Sequence, residues 1–238
     1  MTTLQAALCG SSDHPAVPRT PDEIAADAAA CVLAGANLLH LHAYDDDGNE
    51  SLAAEHVGRV LRAVRAACPG TLVNVTTFAE IEPDPERRFA LVSEWSELPD
   101  LVAANQGEDG IDALSEMLAR RGVGIEACLL SLDDAHRFVR STGIAGFARV
   151  VVEPLLDDPD AAVALDAEIE GVLATAGVTL EQLHHGVGAA SWRVVERAAR
   201  RGHGIRVGLE DLSTLPDGSR ATMNAELVRA AVAMTAVP

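Results

Sequence analysis

Lysine is absent, and all 18 basic residues of the 238 are arginine. No side chain therefore offers a primary amine, which excludes a Schiff-base aldolase, a pyridoxal-phosphate enzyme and a Walker-type phosphate loop. Positive charge is scarce as well: 36 acidic residues leave a formal net charge of −18. Such a polyanion is repelled by phosphate backbones and anionic membrane surfaces, so neither nucleic acid nor membrane is expected as a partner. Aromatic residues amount to 3%, too few for base-stacking platforms, and the core must be built mainly of Ala, Val and Leu. The four cysteines, Cys9, Cys31, Cys68 and Cys128, form no CxxC pair, and a reduced, cytoplasmic protein is the expectation. The start of the chain lacks the basic and apolar runs of a signal peptide. The most apolar stretch, near Ala28 to Leu41, is interrupted by Asn37 and His40, so no membrane span is expected.

What is present is an alternation. Hydrophobic residues make up 48%, and short β-type runs alternate with helical-period segments from end to end, the pattern of repeated βα units. The strands are expected at Leu4 to Leu8, Asn37 to His42, Leu72 to Thr76, Leu101 to Ala104, Gly124 to Cys128, Phe147 to Val152, Leu183 to Val187 and Gly204 to Val207. Helices are expected over Pro21 to Ala34, with Thr20 and Glu23 as a capping box, over Leu52 to Ala67, over Ile111 to Arg121 and over Ser191 to Arg201. Eight such units in this length predict a single (β/α)₈ TIM barrel, one metal-binding domain over residues 1–238. The competing open doubly wound sheet lacks its G-x-G-x-x-G turn, since the first strand is followed by Cys9-Gly10-Ser11-Ser12-Asp13.

In a barrel the C-terminal ends of the strands meet at one mouth, and the residues there form the candidate site. They are polar: His40-Leu41-His42, Asn74-Val75-Thr76-Thr77, Asn105-Gln106-Gly107, Glu126, Glu153, His184-His185 and Arg206-Val207-Gly208-Leu209-Glu210-Asp211. His40 and His42 project to one side of a strand with Cα atoms roughly 6.6 Å apart, a spacing that suits chelation of one ion. The alternative is one hydrogen-bonded core histidine and one solvated rim residue. Glu210 either completes a His₂Glu set of the catalytic Zn²⁺ type or is an exposed loop carboxylate. Arg206, inside a core strand, needs an anionic partner, and Asp211 is placed to hold Arg206 or a ligand histidine. Gly186-Val187-Gly188-Ala189 reads either as a phosphate cradle or as a tight βα connection. Of His184 and His185 at most one faces the mouth, and Asp45-Asp46-Asp47-Gly48 reads as a solvated turn rather than a calcium loop.

His40-Leu41-His42-Ala43, the R-x-G-x-E-D run from Arg206 to Asp211 and Asn224-Ala225-Glu226-Leu227-Val228 resemble the β-keto acid cleavage enzymes, 3-keto-5-aminohexanoate cleavage enzyme and its relatives. The likeness extends from the first strand through Thr20-Pro21-Asp22-Glu23 and Ala34-Gly35-Ala36 to the last helix. It implies a Zn²⁺-binding barrel that forms a homo-oligomer. It also implies a Claisen and retro-Claisen exchange in which a β-keto acid and acetyl-CoA, a coenzyme A thioester, give acetoacetate and a new acyl-CoA. By the same resemblance His40, His42 and Glu210 are the zinc ligands, and Arg206 and Asp211 the catalytic pair for proton abstraction. Ser12, Thr76 and Asn105 are then the substrate-binding positions. The sequence departs from the family at Ser12, which replaces a Glu, and at Phe78-Ala79, which replace a Gly-Gly pair. Cys128 replaces the second Glu of a pair on strand five, and Glu153-Pro154-Leu155-Leu156 replace a glycine-rich loop. A neutral or hydrophobic acid is therefore the expected substrate. A metal-dependent aldolase or isomerase on the same barrel, and a non-catalytic zinc-containing binder, are the competing readings; coenzyme A dependence and turnover separate them.

Overall fold

The computed structural model describes residues 2–141, 143 and 146–235. Eight parallel strands close into a barrel in sequence order: β1 (Leu4–Ala7), β2 (Leu38–Leu41), β3 (Leu72–Thr76), β4 (Leu101–Asn105), β5 (Gly124–Leu129), β6 (Arg149–Val152), β7 (Gln182–His184) and β8 (Gly204–Val207). The helices α1 (Pro21–Ala34), α2 (Ala54–Ala67), α3 (Pro85–Ser93), α4 (Ile111–Arg120), α5 (Leu132–Arg140), α6 (Pro159–Thr175), α7 (Ser191–Arg200) and α8 (Asn224–Thr235) follow their strands. The protein is thus a single (β/α)₈ TIM barrel, as the alternation predicts. Among the described residues no helix is long and apolar enough to cross a membrane, and all four cysteines are free and buried.

Strand parity sorts the side chains. Leu38 packs inside the barrel with Leu101, Cys128, Val151 and Leu183, whereas Leu39, Leu41, Val73 and Val75 face the helices. Thr20 caps α1 as expected: its hydroxyl accepts from Glu23 N, while the Glu23 carboxylate accepts from Thr20 N, a device that stabilises a helix by about 1 kcal/mol.

The expected boundaries shift where side chains or loops compete with the ladder. Phe147 stays outside β6 and sets its ring edge-on to Phe138, 5.2 Å between centroids. Leu52 precedes α2 and uses its carbonyl to accept from Trp95 Nε1 at 2.8 Å. Strand β7 ends at His184 because the next residues are drawn into a turn. Ser191 Oγ donates to Gly186 O at 2.7 Å, and Gly188 N donates to Asp211 O at 2.8 Å. The second bond takes an N–H that a phosphate cradle would have used, so this turn is a tight βα connection.

Closure between β8 and β1 decides where the site forms. Pairing sets Gln5 beside Arg206 and Ala7 beside His40, so β1 lies between the strands that carry the two halves of the candidate metal set. Glu210 must cross the end of β1 to reach the histidines. Two glycines make room: a Cβ on Gly208 would lie 1.8 Å from Ala7 O, and one on Gly10, whose φ is +144°, would lie 2.9 Å from Glu210 Cγ. Asn224 clamps the crossing, accepting from Leu209 N at 2.6 Å and donating to Leu8 O at 2.8 Å and to Asp27 at 2.6 Å.

Candidate metal centre at the barrel mouth

His40, His42 and Glu210 offer ligand atoms that all lie within 4.8 Å of one another. His40 Nε2 is 3.4 Å and His42 Nε2 3.5 Å from Glu210 Oε1. Ligands on one tetrahedral ion with bonds of about 2.0–2.1 Å stand roughly 3.3–3.5 Å apart, so this spacing fits a shared cation. The tautomers fit as well. Asn74 Oδ1 accepts from His40 Nδ1 at 2.6 Å, while Asn74 Nδ2 donates to Glu126 at 2.7 Å. The Glu50 carboxylate accepts from His42 Nδ1 at 2.6 Å. Each ring donates through Nδ1 and keeps the Nε2 lone pair for a metal, the supporting arrangement usual around ligand histidines. Glu210 Oε2 is buried without a hydrogen-bond partner, a further sign that an ion belongs there.

The charges are strongly coupled. Burial alone raises a carboxylic acid, but Arg206 and the two histidines hold Glu210 well below the usual carboxylate range. Burial works against a charged His42, yet Glu210 and Glu50 push it up to about 9. At His40 burial prevails and lowers the value. Metal ligands must give up such protons on binding, so the metal-free site stores positive charge that the ion replaces.

Arg206 and Asp211 form a fork: Arg206 Nε donates to Asp211 Oδ2 at 2.9 Å and Nη2 to Asp211 Oδ1 at 2.8 Å, with a further bond from Nη2 to Glu210 Oε1 at 2.5 Å. Burial opposes the charge on Arg206, and Asp211 and Glu210 more than restore it. The parity expectation for His184 and His185 holds. His184 turns outward onto Asp166, and His185 turns inward, fully buried, 3.4 Å from Glu153 and 3.6 Å from Asp211.

The mouth holds a cavity of about 120 Å³. Thr76 and Asn105 are on its wall together with His40, His42, Arg206 and Glu210, and Phe78, Leu130 and Leu155 supply an apolar side. Ser12 is not on that wall. Its hydroxyl accepts from His14 N at 3.4 Å and its carbonyl from Arg19 at 3.0 Å, because the loop after β1 turns away once Gly10 has let Glu210 pass. Sequence reasoning placed Asn74, Glu153 and His185 among the polar strand ends without assigning them a role, and passed over Glu50. For Asn74, Glu153 and His185 a signal existed, namely inward parity at a strand end. Glu50 is returned to His42 by the Asp45 turn, in which Asp45 Oδ1 accepts from Asp47 N and Asn49 N.

Fold and site together define a closed parallel barrel with a candidate His₂Glu metal centre at its C-terminal mouth. The chain belongs to the beta-keto acid cleavage enzyme family, whose profile matches residues 2–237. It is similar to the 3-keto-5-aminohexanoate cleavage enzyme of Fusobacterium nucleatum subsp. nucleatum, at 27% identity over 249 residues covering 96% of this chain and 89% of that protein. A shorter match, 40% identity over 65 residues, covers 27% of this chain and 23% of the 3-oxoadipate:acetyl-CoA acetyltransferase of Cupriavidus necator. Among solved structures, ObcA in a ternary complex with a C4-CoA adduct and oxalate superposes with a TM-score of 0.73 at 17% identity over 90% of this chain. The chain spans 62% of that ObcA chain, and the likeness is one of fold.

Proposed function

We propose that this protein exchanges acyl groups between a β-keto acid and acetyl-CoA, releasing acetoacetate and the acyl-CoA formed from the rest of the acid. The observation that carries the reading is the convergence of His40, His42 and Glu210 within 4.8 Å at the mouth of a barrel of this family. The names of the relatives and the CoA adduct held by ObcA support the same chemistry. His40 Nε2, His42 Nε2 and the Glu210 carboxylate would hold Zn²⁺, as a two-imidazole, one-carboxylate set does with a position left open. When bound, that ion supplies Lewis acidity to a keto oxygen and stabilises negative charge developing on it.

The chain's own residues do the rest. Arg206, oriented by the Asp211 fork, lies on the cavity wall, and the two act as one catalytic pair for proton abstraction from the acid. Thr76 Oγ1 accepts from Phe78 N at 3.2 Å and keeps its proton to donate to substrate. Asn105 gives Nδ2 to Glu108 at 2.9 Å and faces the cavity beside Thr76. Phe78, Leu130 and Leu155 favour an acid with a neutral or hydrophobic side chain. The same reading has one domain acting as a cytoplasmic homo-oligomer. The test is a panel of cationic, neutral and anionic β-keto acids incubated with carbon-labelled acetyl-CoA, with His40→Ala as control. Labelled acetoacetate with a preference for neutral acids is expected. Turnover that needs no coenzyme A points instead to an aldolase or isomerase, and no turnover across the panel to a binder.

A further inference from the structure

His40 and His42 turn the same atom, Nε2, toward Glu210 and the candidate ion, but their protons are fixed in different ways. Behind His42 stands a carboxylate, Glu50, 2.6 Å from Nδ1. A carboxylate only accepts, so the proton sits on Nδ1 and the Nε2 lone pair is free. Behind His40 stands an amide, Asn74, 2.6 Å from Nδ1, and an amide has a donor end and an acceptor end. With Nδ2 turned to the ring it would donate to Nδ1, and the ring proton would move to Nε2, the ligand atom. Glu210, 3.4 Å from that nitrogen, is an acceptor that favours the same misplacement in the metal-free protein. The direction of Asn74 therefore decides whether His40 is ready to bind an ion.

Glu126 sets that direction. Asn74 Nδ2 donates to Glu126 Oε2 at 2.7 Å, and Gln5 Nε2 donates to the same oxygen at 3.3 Å. Turned about, Asn74 would set Oδ1 against a carboxylate oxygen, two acceptors at hydrogen-bond distance with no proton between them. Both residues are buried, so water does not relieve such a contact. The other oxygen, Oε1, faces Arg149 Nε at 3.4 Å. Burial pushes Glu126 up to about 6, while Arg149 and then Gln5 pull the other way, and the group is a carboxylate at neutral pH.

Strand register holds the parts in line. His40 pairs with Asn74 across β2 and β3, and Glu126 with Arg149 across β5 and β6. Between them, β4 sets Ala103 beside Glu126, and its methyl leaves the span from β5 to Asn74 open. Glu126 is not on the cavity wall, so it acts on the site through Asn74.

We propose that Glu126 is a positioning residue of the metal centre: by accepting from Asn74 it holds the amide in the one direction that keeps the His40 proton on Nδ1 and Nε2 free. This rests on the metal site of the functional reading above and not on the substrate assigned there. His42 needs no such third group, because its partner is already a carboxylate.

The experiment uses the full-length protein. Glu126→Gln keeps the shape and supplies a donor where the carboxylate only accepts. In the metal-free protein at slightly alkaline pH, long-range proton–nitrogen correlation spectra are expected to show His40 as the Nδ1–H tautomer in the wild type and the Nε2–H tautomer in Glu126→Gln. His40→Ala identifies the signal. Zn²⁺ affinity, read by chelator competition, is expected to fall about 10–100-fold. Adding Asn74→Asp to Glu126→Gln moves the carboxylate next to His40, where it accepts both from Nδ1 and from the new amide. The double variant is expected to regain the Nδ1–H tautomer and an affinity within a few-fold of the wild type, a rescue that a purely structural ion pair with Arg149 would not give. If Glu126→Gln does not fold, Glu126→Ala removes the acceptor and frees the amide to face either way; both tautomers and a smaller loss of affinity are then expected. A folded Glu126 variant that keeps the Nδ1–H tautomer alone, or a double variant no better than Glu126→Gln, overturns this inference and leaves the functional reading standing. A wild type that takes up no Zn²⁺ overturns the reading of the metal site and this inference with it.

Discussion

Asn74→Ala isolates the support behind His40. Asn74 is fully buried and joins two groups, accepting from His40 Nδ1 at 2.6 Å and donating to Glu126 at 2.7 Å. Truncation strands the His40 Nδ1–H where water does not reach. Glu126 is left with Gln5 Nε2 at 3.3 Å and Arg149 Nε at 3.4 Å. An orphaned buried donor costs about 1–3 kcal/mol, which for a domain of this size lowers Tm by roughly 2–6 °C. The ring also loses the contact that aims Nε2, and loss of such a partner weakens metal affinity by about 10–100-fold, or about 1.4–2.7 kcal/mol. Zn²⁺ affinity by competition with a chromophoric chelator, alongside thermal unfolding of the metal-free protein, measures both effects. Val73→Ala is the control, since Val73 is on the same strand but faces the helices. It is expected to lower Tm and leave metal affinity alone. Wild-type affinity in Asn74→Ala, or equal weakening in Val73→Ala, would refute the reasoning.

Three further outcomes are expected. Arg206→Lys keeps the charge but loses the two-point fork on Asp211, so kcat/KM should fall on the order of 100-fold with the fold intact by circular dichroism; full activity would make the side chain peripheral. Gly208→Ala drives a Cβ onto the Ala7 carbonyl, a backbone clash that no rotamer relieves. Urea unfolding should show a loss of about 3 kcal/mol or more, and an unchanged midpoint would contradict the account of barrel closure. Asp27 is raised to about 6 by burial, despite its bond from Asn224. Its native pKa lies above the unfolded value, so it destabilises the fold progressively as pH climbs from about 4 to 6. Asp27→Asn should gain on the wild type over that window, to at most about 3 kcal/mol near pH 7; a difference independent of pH would disprove it.

The barrel was legible because its signals are local. Parity along Leu38-Leu39-His40-Leu41 separates interior from helix-facing residues, and the Thr20 capping box marks a helix start. The His-x-His spacing pointed to a chelate for the same reason. Glu210 was harder, since its approach depends on crossing β1 over Gly10 and Gly208, contacts between residues some 200 positions apart. The partners that orient the histidines were legible only in part: Glu50 arrives through a turn whose sequence looks merely acidic, and Asn74, an inward polar residue of its strand, gains its role only because the β2–β3 register sets it beside His40. Ser12, a loop position assigned by likeness, stands off the cavity wall with its hydroxyl on His14 N.

The most direct test of the central claim is to strip the protein of metal and titrate Zn²⁺ back while following acetyl-CoA-dependent acetoacetate release from a neutral β-keto acid. The account predicts no release without metal and a linear rise that saturates at one equivalent per chain, with neither metal uptake nor activity in His42→Ala. Release from the metal-free protein, or full occupancy of His40, His42 and Glu210 with no acetoacetate formed, would contradict it.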